Sequence, residues 1–140
     1  MTIRILDTDH VSLLERQQPA IVQRYKKYPV EKTAITIITW EEQMRGRLNV
    51  IRQATSSEQR ILAYTRLHAT IRFLQNFPII NFDAIADNYY LQLQAQKIRV
   101  GTQDLRIASI ALSGNAVVVT RNQRDFGKVP NLMLEDWTVA

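Results

Sequence analysis

Four carboxylates in this sequence, Asp7, Glu42, Asp104 and Asp125, each stand just past an apolar segment or in the first turn of a helix. Gathered on one edge of a sheet, they would repel one another by roughly several kcal/mol in a partly dry pocket, so they need a cation to coexist. Carboxylate oxygens suit a hard divalent ion, and Mg2+ is held by few protein ligands and several waters. Such a cluster can polarise a phosphodiester and lower the pKa of an attacking water, which is the chemistry of cutting a nucleic-acid backbone.

Each acid also has a local explanation. Asp7 ends the apolar run Arg4-Ile5-Leu6, where a buried carboxylate is costly unless it is paired or bound to a cation. Capping the next helix is its alternative role, which Thr8 or Asp9 could fill instead, so the site is preferred for Asp7 and capping for Asp9. Glu42 follows Thr39 by three residues and fits a capping box, with Glu41 a competitor on a different helix face. Asp104 complements a helix dipole, and its face continues through the small residues Ala108 and Ala111, an inward stripe suited to packing on a sheet. Asp125 lies three residues after a possible cap, Asn122, just beyond an apolar strand ending at Thr120. The joint pattern outweighs the separate excuses.

Other chemistry has little support. His10 is expected at the surface of a helix start, and His68 exposed or locally paired. Ser12 and Ser109 lack a neighbouring base and acid, and there is no Gly-rich phosphate loop. The absence of cysteine excludes disulfides and thiolate metal sites, and two histidines are too few for a His-rich zinc centre.

The elements that must position the acids follow from periodicity. Strands are expected over Ile3 to Asp7, Lys32 to Ile38, Phe77 to Asn81, Ala116 to Thr120 and Leu132 to Leu134. Helices are expected over Thr8 to Arg16, Pro19 to about Tyr28, onward from Thr39, Ser56 to Asn76, Asp83 to about Lys97 and Asp104 to Ser113, with a helical turn at Asn122 to Phe126. In the Ser56 helix, Ile61, Leu62, Leu67, Ile71 and Leu74 are read as one apolar face. Alternating strands and helices predict an α/β fold with a parallel sheet covered on both faces, whose carboxyl edge binds ligands. The 140 residues suit a single domain, without repeats or linkers. A net charge of +5 favours a polyanionic partner, weakly because the basic residues are dispersed. No apolar span reaches membrane length and no signal core is present, so a cytoplasmic protein without membrane association is expected.

Four blocks, in order, resemble the PIN-domain ribonucleases, especially VapC-type toxins of bacterial toxin–antitoxin pairs. They are Leu6-Asp7-Thr8-Asp9, Ile37-Ile38-Thr39-Trp40-Glu41-Glu42 with Gly46, Gly101-Thr102-Gln103-Asp104 through Ala108, and Val119 through Asp125-Phe126 to Val129-Pro130. The resemblance spans almost the whole chain. It implies a three-layer α/β/α sandwich with a five-stranded parallel sheet and RNA cleavage dependent on Mg2+ or Mn2+. By position, Asp7, Glu42 and Asp104 match the acidic core and Asp125 the fourth acid, while Thr120 and Asn122 would line the site. Arg45, Arg47, Arg106, Arg121 and Arg124 are candidates for the RNA backbone, with a solvated face as the alternative. A homodimer and a small antitoxin partner covering the site are also implied.

Two rivals remain at this stage. Asp7-Thr8-Asp9-His10-Val11 also resembles the opening of haloacid-dehalogenase-type phosphatases, but too little chain follows Thr120 for their later acidic blocks. A catalytically silent RNA- or partner-binding module on the same fold is the non-enzymatic reading.

Overall fold

A computed structural model describes residues 2–139. Five strands, β1 (Arg4–Leu6), β2 (Thr33–Thr36), β3 (Ile79–Ile80), β4 (Val117–Val119) and β5 (Met133–Glu135), form one sheet in the order β3-β2-β1-β4-β5. Every pairing is parallel, with Ile5 opposite both Ala34 and Val118, and Leu6 opposite Val119. Parallel neighbours require crossovers, and these are the helices α1 (Thr8–Glu15), α2 (Pro19–Lys26), α3 (Ile37–Gln53), α4 (Ser57–Leu74), α5 (Ala84–Ala95), α6 (Thr102–Ser113) and the short α7 (Gln123–Phe126).

The pleat sorts the core into two layers. Ile5 and Val118 point to one side, where Ala86 and Leu93 of α5, Leu105 and Ala108 of α6 and Phe126 close over them. Leu6, Ile35 and Val119 point to the other, against Val11 and Leu14 of α1, Ile21 of α2 and Leu74 of α4. This is the α/β/α sandwich expected from the strand–helix alternation. All three residues of β4 are buried, and burying each valine is worth about 1.5–3 kcal/mol, more than any local propensity at stake. Along α6, Ala108 and Ala111 are fully buried against the sheet, so the inward stripe that begins near Asp104 is present.

The junction of β2 with α3 and the packing of α4 differ from the sequence reading in ways that bear on the site, while β3 is shorter than expected, at Ile79–Ile80. The β-branched run extends through Ile38, yet β2 stops at Thr36, and Ile37 and Ile38 open α3. The Thr36 hydroxyl accepts a hydrogen bond from the Thr39 amide at 3.2 Å, so Thr36 is the cap and there is no Thr39–Glu42 capping box. A cap is worth about 1 kcal/mol, while isoleucine in a helix costs roughly half that, so the cap and the burial of Ile38 decide the boundary. In α4 the expected single apolar face is split. Leu74 is buried, but Ile61 and Leu62 face solvent, because Ala63 and Thr70 supply the inward side.

Candidate functional site

The chain crosses from one side of the sheet to the other between β1 and β4, which places an open crevice at their carboxyl ends. A cleft of about 470 Å³ lies there, lined by Asp7, Thr8, Asp9, Ser12, Glu42, Asp104, Arg121 and Asn122. A larger cleft of about 870 Å³, lined by Leu14, Tyr25, Phe73 and Phe77 among others, has no carboxylate in its walls and cannot do the chemistry of an acid cluster.

Asp7 is the first residue after β1. Its amide donates to the Val119 carbonyl at 3.0 Å, which fixes the end of β1 against β4. The side chain is buried, and Oδ1 caps α1 by accepting from the His10 amide at 2.8 Å. Capping and site placement therefore coincide in Asp7. Glu42 sits in the second turn of α3, half-buried, and accepts a hydrogen bond from the Thr8 hydroxyl. That hydroxyl also lies 3.1 Å from the Thr39 hydroxyl. A hydroxyl has one proton, so Thr8 donates to the carboxylate and accepts from Thr39, a relay that pins α3 to the start of α1. Glu41 points elsewhere, exposed and paired with Arg45 at 2.8 Å.

Asp104 enters the cleft from the first turn of α6. Its carboxyl pKa is pushed up to about 6, first by burial and then by the negative charges of Asp7, Glu42 and Asp125. Among the described residues no lysine or arginine forms an ion pair with Asp7, Glu42 or Asp104. These three acids thus oppose one another without a directly paired basic side chain, the cleft's Arg121 being bound to Asp9.

The remaining candidates are placed differently. Asn122 lines the cleft and caps α7, accepting from the Asp125 amide at 3.3 Å. Asp125 is not in the lining, and its carboxylate is held by Asn122 Nδ2 at 3.1 Å, Lys128 at 3.4 Å and Arg124 at 3.5 Å. Those partners, the Asn122 hydrogen bond foremost, hold its pKa below the usual carboxylate value. Thr120 is buried, with its hydroxyl accepting from the Asn122 amide at 2.9 Å, so it shapes the loop rather than the lining. Arg124 is strongly exposed. Arg121 lines the cleft but is joined to Asp9 by two hydrogen bonds of 2.7 and 2.9 Å. Asp9 is therefore a partner for Arg121, and Asp7, one of its rivals, is the cap that Asp9 was expected to be. Arg47 is spent inside the protein, on Thr70 at 2.9 Å and Glu15 at 3.7 Å.

The expectation for His10 is corrected outright: the ring is fully buried, because Nε2 accepts from the Trp137 amide at 3.2 Å beneath the segment after β5. On distance alone Asp7, Asp9 and His10 each bring a ligand atom within 4.8 Å of the others. Within that trio both Asp9 oxygens already accept from Arg121 and His10 Nε2 accepts from the Trp137 amide, so Asp7 is its least committed member. Thr8 and Ser12 went unnoticed as lining residues in the sequence. The signal for Thr8 was present, a hydroxyl adjoining the first acid of a metal-type cluster, but capping absorbed it.

A parallel sheet in the order β3-β2-β1-β4-β5, covered by helices on both faces and carrying Asp7, Glu42 and Asp104 in one cleft, defines an α/β/α protein with an acidic site. Ribonuclease VapC1 of Haemophilus influenzae (strain R2866) is 29% identical over 138 residues, covering 97% of this chain and 98% of the relative. Ribonuclease VapC2 of Rickettsia felis is 41% identical over 69 residues, spanning 46% of this chain and 52% of that protein's length. In the crystal structure of DNA-bound VapBC from Salmonella typhimurium, one chain superposes with a TM-score of 0.80 at 27% identity, covering 98% of this chain and 99% of that one. No protein-family model matches. In both sequence and fold the chain is similar to VapC ribonucleases over nearly its whole length.

Proposed function

We propose that this chain is an endoribonuclease in which Asp7, Glu42 and Asp104 hold Mg2+ or Mn2+, and that it is the toxin of a toxin–antitoxin pair. The observation that carries the reading is Asp104, a half-buried acid pushed up to about 6 by burial and by Asp7, Glu42 and Asp125. A divalent ion offsets that repulsion, and the donors are all oxygen, which suits a hard cation. When bound, the ion polarises the scissile phosphodiester and lowers the pKa of a water.

The chain's own residues supply the rest. Thr8 fixes the Glu42 carboxylate through its hydroxyl, and the Asp7 backbone is held by β4, so two of the three ligands are oriented before any ion arrives. Asp125 acts from behind Asn122, whose amide it orients at the cleft wall. Arg121, with Arg124 further out, is placed to meet the RNA backbone, Arg121 by exchanging Asp9 for a phosphate. The named relatives support RNA as substrate, and the VapBC complex supports a bound antitoxin partner. A homodimer is the assembly we propose, as the family resemblance implies.

The test is cleavage of RNA by the purified chain with Mg2+ or Mn2+, with chelator added, and in Asp7→Asn and Asp104→Asn. Turnover that needs the ion and vanishes in both variants is expected; RNA binding without turnover in the unaltered protein would establish a silent binding module instead.

A further inference from the structure

The buried imidazole of His10 has no place in the mechanism above, yet it touches the first acid of the site. The ring is 0% exposed. Its Nε2 lies 3.2 Å from the Trp137 amide, which can only donate, so Nε2 must present a lone pair. A neutral ring with that lone pair carries its hydrogen on Nδ1. That atom is buried with no hydrogen-bond partner, and Asp7 Oδ1 lies 3.3 Å from it, outside hydrogen-bond geometry. Asp136 Oδ1 stands 3.7 Å from Nε2 but is occupied by the amide and hydroxyl of Thr138. Trp137 itself is fully buried and stacked on Tyr28, ring centroids 5.4 Å apart, so the amide that sets the tautomer sits on a packed anchor.

We infer that His10 is the positioning residue of Asp7, its tautomer set by the Trp137 amide, so that the unpartnered Nδ1–H beside Asp7 Oδ1 is available to join the His10 amide in holding that carboxylate. Resting on the metal reading proposed above, this adds a role to the segment after β5, which is remote in sequence from every acid of the cleft. It also removes His10 as a ligand, because an Nδ1 that bears a proton cannot coordinate. Carboxylates that ligate a metal are themselves held by hydrogen bonds from surrounding groups, and those outer contacts tune the site.

Two variants separate the functions of the ring. His10→Asn keeps a donor near the place of Nδ1 but cannot reach Trp137, whereas His10→Gln keeps an acceptor near the place of Nε2 and loses the donor toward Asp7. Mn2+ titrated into the folded proteins, followed by calorimetry, should bind His10→Asn within about threefold of the unaltered chain and His10→Gln about 10–100-fold more weakly. In the unaltered protein, long-range proton–nitrogen NMR on labelled histidine, where His68 is the one other signal, should show His10 neutral with its hydrogen on Nδ1, unchanged by Mg2+. A hydrogen on Nε2, or equal Mn2+ affinity in all three proteins, overturns the positioning role while leaving the metal reading intact. An unaltered protein that binds no Mn2+ overturns the metal reading and the positioning role with it. The NMR result stands even if a variant fails to fold.

Discussion

The acids around the cleft divide into two groups that meet their charge in different ways. Asp9 and Asp125, on the outer rim, are each matched within the protein, by Arg121 and by Arg124 with Lys128. Asp7 and Glu42, on the inner wall with Asp104, accept hydrogen bonds from the His10 amide and the Thr8 hydroxyl, and none of the three forms an ion pair with arginine or lysine among the described residues. The basic partners of the outer acids are exposed, so those ion pairs contribute little and are screened by salt. The inner acids are buried or half-buried, where mutual repulsion is expensive and is left for something outside the chain to relieve. The one arginine of the cleft lining, Arg121, is committed to Asp9 rather than to these acids.

The sharpest way to break the contrast is to remove an inner charge. Asp104→Asn should lower metal-dependent RNA cleavage on the order of 100-fold or more, equivalent to ~3 kcal/mol of transition-state stabilisation, measured as kcat/KM on a defined RNA. The same substitution should make the metal-free protein more stable at neutral pH. Asp104 has a folded pKa raised to about 6, above its unfolded value, so its contribution is fully present below about pH 4 and is lost as pH rises through 6. After allowance for its half-exposed position the loss is about 1 kcal/mol, read as the difference between unaltered and Asp104→Asn denaturation curves across that window.

Next in size is the response to the ion itself. At about 100 times its dissociation constant, Mg2+ or Mn2+ should stabilise the unaltered protein by roughly 2.7 kcal/mol, seen as a rise in Tm that chelator reverses and Asp104→Asn abolishes. Asp125→Asn should cost less, about tenfold in kcat/KM, because it acts through Asn122 rather than on the ion. Smallest is Arg121→Ala, which removes an exposed pair and should leave Tm nearly unchanged. If RNA contact is its role, the loss appears as a higher KM and a shallower salt dependence.

How much of this was readable in advance differs by region. The buried strand Val117–Val119, the inward alanines of α6 and the parallel sheet follow from patterns long enough to have one solution. The start of α3 does not, because Ile37 and Ile38 have strand-like side chains and a single hydroxyl three residues from Thr39 reverses them. That the inner acids line one cleft was legible from their shared place after strand ends. The allotment of partners was not, since Asp9 meets Arg121 and His10 meets Trp137 across more than a hundred residues of chain. Local rules assigned Asp9 to a cap and His10 to the surface, and tertiary contacts overrode both.

The central claim, that Asp7, Glu42 and Asp104 share one hard cation, is tested most directly by anomalous scattering from a crystal grown with Mn2+. A single strong peak is expected within ligand distance, about 2.0–2.3 Å, of oxygens from all three acids. A peak coordinated by Asp9 and the His10 ring instead, or no peak in the cleft at saturating Mn2+, would contradict it.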